Sequence, residues 1–402
     1  MEASKLKSKI ESTFLKLKSY CEAEKFKGWD PYDGLNSKIF QAMPFKHWDL
    51  ARLAWIQGFK RSPINFRKLF LVPKQYNAKG IGLFLLGYCN LYELSLKGMI
   101  AFGKPDKLLL KIHELANLLD NIKNTDYTGA CWGYNFDWQS RRLFLFPAYT
   151  PTVVATTFCA EALFKAFDLT NEEKYKKLAL SSANFVMQDL KRTPHRSGFL
   201  FSYSPLNGNN TVYNASLLGA KLLSLCFKYS GNDDYKNTAE QAIKAVCEGQ
   251  NKDGSWIYGL LDTQQWIDSF HTGYNLDAIS MYQNCTGDNQ FSLNLDKGFA
   301  YYINNFFKKD GTPRYYNNKT YPIDIHCPAQ LFVTLSKLDR FKIHEDLASK
   351  VFNWSIKNMQ SRKGYFFYQL KKGWSSKISY MRWSNAFMFN AISFYLKESK
   401  NE

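Results

Sequence analysis

The stretch Gln250-Asn251-Lys252-Asp253-Gly254-Ser255-Trp256-Ile257-Tyr258 decides the fold, because its pattern of a glycine among aromatic residues recurs along the chain. An amphipathic segment precedes this stretch and a strongly apolar segment follows it. Four other loops share the pattern, at 132–138, 198–203, 310–315 and 364–368. The spacing of roughly 50 to 65 residues is typical of a paired-helix unit. The sequence therefore predicts a series of helical hairpins.

The two helices of each unit differ in pattern. The helix after each loop is rich in Ala, Leu and Phe on all sides, which predicts a buried inner helix. We place these inner helices near 80–97, 152–168, 211–229, 270–284, 326–338 and 382–397. Their partners carry lysines on one face and suit the outside, near 104–123, 171–190, 232–249, 288–307 and 342–360.

This count leaves six inner helices with only five outer helices after them. The N-terminal segment, about 4–24, has the amphipathic, lysine-rich pattern of an outer helix. Packed beside the last inner helix it completes a sixth pair, so the fold class predicted is all-α, a closed (α/α)6 toroid. An open solenoid is the alternative, but it would leave apolar faces exposed at both ends. We expect one domain, 1–402, with the irregular segment 25–79 over one mouth of the ring.

The composition argues against a membrane protein, a secreted protein and a disulfide or zinc framework. The 402 residues are 45% hydrophobic, yet no apolar run reaches the length of a membrane span. The polar start lacks the apolar core of a signal peptide. The eight cysteines are scattered without a C-x-x-C pair, which favours free thiols over disulfides or a zinc site. We expect a cytoplasmic protein without a metal or other cofactor.

The net charge of +18 and the aromatic share of 17% are both high. A basic surface suggests an anionic partner, although a solvated lysine-rich surface is the simpler interpretation. No arginine-rich or nucleic-acid motif is present, so nucleic acid is not expected. The partner predicted is an anionic glycan, nucleotide sugar or lipid-linked sugar. The oligomeric state stays open.

The loops should form the site, because the N-termini of parallel inner helices gather at one mouth and favour anionic groups there. Flat aromatic faces among a few polar groups suit a sugar. The alternative is that the aromatic residues pack between repeats. The predicted substrate-binding residues are Asp30, Tyr134, Trp138, Arg141, Asn214, Asp253, Trp256, Tyr315, Arg382 and Trp383.

Two histidines begin successive inner helices, each after an aspartate. His271 follows Asp268, which is also a plausible N-cap, and His326 follows Asp324. A histidine there can transfer a proton near neutral pH while an aspartate orients it. The other predicted catalytic residues are Asp137 and Tyr258.

Several stretches together resemble a family of bacterial proteins from exopolysaccharide and capsule biosynthesis clusters. They are 30–37, 62–67, 132–141, 268–275 and 381–383. The resemblance implies a toroid of the six-hairpin type and a place in polysaccharide production, but no particular reaction. The stretch 250–256 also looks like the repeat of terpenoid cyclases. Those enzymes need an acidic motif such as Asp-x-Asp-Asp, which this sequence lacks.

The functional prediction is an enzyme that processes a glycan, as a hydrolase, a lyase or an epimerase. Hydrolysis requires two carboxyl groups across the sugar. Epimerisation or elimination requires a base at a carbon-bound proton. A non-catalytic glycan-binding or scaffold protein of a polysaccharide synthase system is the competing hypothesis.

Overall fold

The computed structural model describes residues 2–139 and 145–399. The helices in chain order are α1 (Glu2–Ala23), α2 (Lys38–Gln41), α3 (Asp49–Arg61), α4 (Ala78–Leu96), α5 (Pro105–Asn121), α6 (Val153–Thr170), α7 (Glu173–Asn184), α8 (Tyr213–Ser230), α9 (Asp233–Glu248), α10 (Ser269–Thr286), α11 (Ser292–Phe306), α12 (His326–Lys337), α13 (Glu345–Met359) and α14 (Phe387–Glu398). A wide, π-type turn at Met381–Ala386 leads into α14.

The inner helices form a closed ring. Each packs against two inner neighbours, in the order α4, α6, α8, α10, α12, α14 and back to α4. The outer helices α5, α7, α9, α11 and α13 each pack on the inner helix before them, and α1 packs on α14. The predicted (α/α)6 toroid is therefore confirmed, including the sixth pair made by the N-terminal helix.

The recurring glycines have a shared packing role. A Cβ atom at Gly254, Gly311 or Gly364 would collide with a backbone carbonyl of an outer helix, at Lys297, Lys350 and Lys16 respectively. All three glycines also have positive φ, between +85° and +97°. Only glycine satisfies both conditions, so the residue type repeats along the sequence with the unit.

Short antiparallel strands connect the hairpins, which the all-helical prediction did not include. They are β1 (Trp138–Gln139), β2 (Leu145–Phe146), β3 (Arg192–His195), β4 (Gly198–Phe201), β5 (Ile323–Asp324), β6 (Phe367–Leu370) and β7 (Ser375–Ser379). The pairs are β1–β2 and β3–β4, and β5, β6 and β7 form one sheet. These strands lie in the loops that precede inner helices, so they add rigidity at the mouth where the loops converge.

The segment between α1 and α4, residues 24–77, lies at this mouth and is called the mouth segment here. It contains α3, a helix of 13 residues that the sequence analysis did not predict, and a small core of its own around Leu35, Phe40 and Ile56. Arg382 at the start of the last inner segment holds it through two bonds to Asp30, of 2.6 and 2.8 Å. The buried pair makes the mouth segment part of the ring wall.

Buried charges tie the inner helices together deeper in the ring. The carboxylate of Glu161 on α6 pairs with Lys221 on α8, at 2.7 Å, and with Lys337 on α12, at 2.5 Å. Burial alone would raise the pKa of Glu161, but the two ammonium groups outweigh it and lower the pKa to about 2. Within the described residues, no helix has the length and apolar character needed to cross a bilayer.

Candidate functional site

The site lies where α8 and α10 begin. A narrow cleft there is lined by Asn214, Trp256, Tyr258, Asp268, His271 and Asn275, among others. Asn214 is the second residue of α8, and His271 is the third of α10. The cleft thus joins two neighbouring walls of the ring, as the positions of these residues in successive repeats predict.

Asp268 and His271 form a hydrogen-bonded pair in this cleft. Asp268 is the N-cap of α10, and its Oδ1 accepts a bond of 3.0 Å from the backbone N–H of His271. Its Oδ2 lies 2.7 Å from Nδ1 of His271 and also accepts a bond of 3.0 Å from Trp266 Nε1. A carboxylate only accepts hydrogen bonds, so Nδ1 carries the proton and Nε2 is the basic nitrogen of the neutral ring. This arrangement orients a proton acceptor.

Tyr258 flanks the histidine. Its ring stacks on Trp266 with centroids 4.5 Å apart and lies 4.7 Å from the ring of His271. Burial, with the charge of Asp268 as a second cause, raises the pKa of the Tyr258 hydroxyl. The phenol therefore stays protonated at neutral pH and is available as a proton donor.

Two buried amide oxygens in the same cleft lack a partner. Oδ1 of Asn214 and Oδ1 of Asn275 have no hydrogen bond within the described part of the chain, and each residue is 3% exposed. Unpartnered buried polar groups are costly and therefore rare, so they mark a place for a ligand or water. The sequence analysis missed Asn275. Its position four residues after His271 was the available signal, because i and i+4 share a helix face.

His326 occupies the equivalent place on α12 but is closed in. It is 1% exposed, its Nε2 lies 2.6 Å from the hydroxyl of Tyr274, and that hydroxyl accepts a 3.4 Å bond from Lys79 Nζ. Burial, followed by the charge of Lys79, lowers the pKa of His326. The ring of Phe270 lies between the two histidines, with centroids 4.3 Å from His271 and 4.4 Å from His326. The sequence analysis did not assign Tyr274 a role.

Both carboxylate oxygens of Asp324 accept hydrogen bonds from neighbouring residues. The carboxylate accepts bonds from the backbone N–H of His326, Trp383 Nε1 and Gln369 Nε2, at 2.7 to 3.0 Å. Burial raises its pKa to about 6. The prediction that Asp324 orients the ring of His326 is wrong, because its bond goes to the backbone N–H and the Nδ1 atom of His326 is left without a partner.

The other aromatic candidates form a wall beside Arg382. The guanidinium lies 5.0 Å from the ring centres of both Tyr134 and Trp383. Tyr32 of the mouth segment lies over this wall, with its ring 5.8 Å from Trp383 and 6.3 Å from Trp138. Arg382 and Asp30 form a buried ion pair in this wall. Their predicted contact with substrate stays a prediction.

The ring of Tyr315 packs edge to face on the ring of Phe270, with centroids 5.3 Å apart. Asp137 is half-buried, and its Oδ1 accepts a 2.8 Å bond from the backbone N–H of Ala148. Arg141 lies outside the described residues. The predicted roles of Tyr315 and Asp137 stay predictions.

Two other predicted binding residues, Trp256 and Asp253, lie in the loop between α9 and α10. Trp256 is 2% exposed, and its Nε1 donates a 3.0 Å bond to the carbonyl of Val246 on α9. Its six-membered ring packs against Gly298 of α11, and the side chain also forms part of the cleft lining. Asp253 is exposed in the turn before it, where its carboxylate caps Ser255. The predicted contacts of Trp256 and Asp253 with substrate stay predictions.

No metal centre is apparent in residues 2–139 and 145–399, where no three His, Cys, Asp or Glu side chains converge as ligands. The chemistry available in the cleft is that of an oriented imidazole, a phenol and two amides.

No protein-family model matches the sequence, and no curated protein is significantly similar to it. Solved structures do share the fold. An unsaturated glucuronyl hydrolase specific for heparin has a TM-score of 0.61 and 14% identity, over 98% of each chain. A cellobiose 2-epimerase from Bacillus thermoamylovorans has a TM-score of 0.60 and 13% identity, over 81% of this chain and 90% of the other. A family 76 α-mannanase from Bacteroides thetaiotaomicron has a TM-score of 0.59 and 12% identity, over 80% of this chain and 86% of the other. At these identities the similarity shows the (α/α)6 toroid fold.

Proposed function

We propose that this protein is a carbohydrate-processing enzyme in which His271 transfers a proton on a bound sugar. The observation that carries the proposal is the pair formed by His271 and Asp268 in a cleft that also holds two unpartnered amide oxygens. The amides match the hydroxyls of a sugar, and the imidazole matches a proton transfer near neutral pH. Solved structures that share the fold include a cellobiose 2-epimerase and a D-mannose isomerase.

Proton transfer at carbon fits this site better than hydrolysis. Hydrolysis requires two carboxyl groups that face the sugar. In the described residues near the cleft, Asp30, Asp268 and Asp324 each accept at least three hydrogen bonds and are at most 4% exposed. An imidazole Nε2 with Nδ1 fixed by a carboxylate is instead suited to remove a proton from carbon.

The proposed step is the removal of the proton on the carbon beside a sugar carbonyl. Nε2 of His271 takes this proton, the electron pair moves into the carbonyl to give an enediolate, and Asp268 stabilises the imidazolium. Reprotonation of the same carbon from the opposite face by Tyr258, whose phenolate regains a proton from solvent, gives an epimer. Reprotonation of the former carbonyl carbon, with the neighbouring hydroxyl proton passing to the former carbonyl oxygen, gives an isomer. Expulsion of a leaving group from the next carbon gives β-elimination. His326 becomes a second proton carrier only if the mouth opens.

A glycan-binding protein without catalysis is the second candidate. The burial of His326 favours it, because in this structure His271 lacks an accessible second histidine. The aromatic wall of Tyr134, Trp138 and Trp383 suits binding equally well.

The biological setting is proposed on the sequence alone. The resemblance to exopolysaccharide and capsule proteins supports a role in polysaccharide biosynthesis, with a nucleotide sugar or a lipid-linked sugar as the donor of the sugar unit. The pattern of cysteines supports the cytoplasm. Terpenoid chemistry is not proposed.

The test is incubation of the protein with free sugars and oligosaccharides in D2O, followed by mass spectrometry and NMR. Deuterium at carbon without cleavage is the expected result. A gain of water with cleavage would instead show hydrolysis. Bound sugar without any exchange or cleavage would support the binding protein.

A further inference from the structure

The two unpartnered amides lie on neighbouring walls of one cleft. Asn214 extends from the first turn of α8, and Asn275 from the second turn of α10, one turn beyond His271. Their Oδ1 atoms are buried and have no partner in the described residues. In a folded protein a buried acceptor is nearly always satisfied, so two in one cleft indicate a place for two donors, which the hydroxyls of a ligand can supply in place of water.

An aromatic surface lies beside the two amides, in a cleft that is narrow in this structure and open to solvent. The stacked pair Tyr258 and Trp266 borders it, with Tyr258 in its lining. A sugar ring presents hydroxyls at its edge and C–H groups at its face, which matches amides beside an aromatic side chain.

The charge of the cleft disfavours an anion. Its lining contains no lysine or arginine, and the carboxylate of Asp268 is its one acidic group. Within residues 2–139 and 145–399 the nearby cations are engaged elsewhere: Arg382 pairs with Asp30, and Lys79 lies behind Tyr274 against the ring of Phe158. Among the described residues, only the amino ends of α8 and α10 would offset the repulsion between a sugar carboxylate in the cleft and Asp268.

We propose that Asn214 and Asn275 bind an uncharged sugar ring through two neighbouring hydroxyls that donate to their side-chain oxygens, and so select the sugar by the configuration of those hydroxyls. This proposal rests on the proposed function in that the ligand is a sugar, but it does not require that the protein is a catalyst. It also restricts where the acidic group of the anionic partner expected from the net charge of +18 can bind. Any acidic group of the glycan lies outside this cleft.

The test uses methyl glycosides of glucose, mannose, galactose and glucuronic acid, because a glycoside cannot open to the carbonyl form and is bound without turnover. Dissociation constants are measured by NMR titration at 0.05 and 0.3 M salt. We expect at least one neutral glycoside to bind with a salt-independent constant, and the glucuronide to bind more than tenfold more weakly. Tighter binding of the glucuronide, or no binding of any glycoside, overturns the proposal.

Substitution of the amides provides the second arm. Asn214→Ala and Asn275→Ala should each weaken the bound neutral glycoside about tenfold, the scale of one lost hydrogen bond in a closed site. Asn121→Ala, at an exposed position on α5, is the matched control and should leave binding unchanged. Undiminished binding in both cleft variants overturns the proposal.

Thermal unfolding separates this role from a structural one. Because the Asn275 oxygen has no partner, Asn275→Leu should leave the melting temperature unchanged or raise it while abolishing glycoside binding. A marked fall in melting temperature would assign Asn275 to the fold and contradict the proposal. His271→Asn should retain glycoside binding. Intact binding without turnover in the wild type would refute the catalytic function and leave the amide subsite standing.

Discussion

Gly364 packs directly against the backbone carbonyl of Lys16, so the first helix of the chain meets the last repeat loop as other outer helices meet theirs. Gly311 has the same relation to Lys350, and Gly254 to Lys297. The N-terminal helix α1 is thus the sixth outer helix by position as well as by contact with α14. Residues far apart in sequence complete one repeat, and the ring closes through that contact.

The first prediction tests this closure. Gly364→Ala should destabilise the protein by about 2–4 kcal/mol, because it combines the strain of φ +97° with a clash against α1. Gly373→Ala is the control: its φ of +82° is similar, but no atom lies within 4 Å of the added Cβ. It should cost only about 1–2 kcal/mol. Chemical denaturation measures both, and equal losses would contradict the tight α1 contact.

The second prediction concerns His271. His271→Asn should lower turnover by at least about 10²-fold, the usual contribution of general acid–base catalysis. Stability should change by no more than about 1 kcal/mol, since the side chain is partly exposed in the cleft. His47→Ala, an exposed histidine of the mouth segment, should keep full activity. An active His271→Asn protein would remove His271 from the mechanism.

The third prediction concerns Asp268 as a positioning residue. Asparagine caps a helix about as well as aspartate, so Asp268→Asn should keep the stability within about 1 kcal/mol. The amide cannot hold the imidazolium as a carboxylate does, so kcat should fall about 10²-fold or more with KM little changed. Asp253→Asn, in an exposed turn, should change neither constant. A fall in stability with unchanged kcat would make Asp268 a cap only.

The fourth prediction concerns the buried ion pairs of Glu161. Its pKa of about 2 lies below the ordinary value of 4.5, so its stabilising contribution is present above pH 4.5 and is lost as the pH falls toward 2. Glu161→Gln should destabilise the protein by about 3–5 kcal/mol at pH 7, because two buried ammonium groups lose their partner.

The same variant should flatten the dependence of stability on pH between 4.5 and 2, measured by denaturant unfolding at a series of pH values. Glu114→Gln is the control, since Glu114 pairs with Lys111 on the surface. It should change stability by less than about 1 kcal/mol. An acid dependence in Glu161→Gln as steep as in the wild type would place that proton uptake on other carboxyl groups.

The sequence by itself determined the ring. Glycine-aromatic loops at regular spacing and helices apolar on all sides have few ways to bury their surface, and closure of six hairpins is the one that leaves no open end. It also placed Asp268 before His271, because an N-cap acts within one turn and its hydrogen bond is local. Patterns with local causes could be predicted.

Only the tertiary structure decided which loop residues reach the cleft. Trp256 and Tyr134 both lie in glycine-containing repeat loops, yet Trp256 is tied to α9 and lines the cleft, whereas Tyr134 lies outside that lining beside Arg382. His271 and His326 begin equivalent helices, but Phe270 and its neighbours bury only the second. A side chain's destination depends on the surfaces brought against it by distant repeats. Equivalent positions in the sequence therefore become different environments in the folded ring.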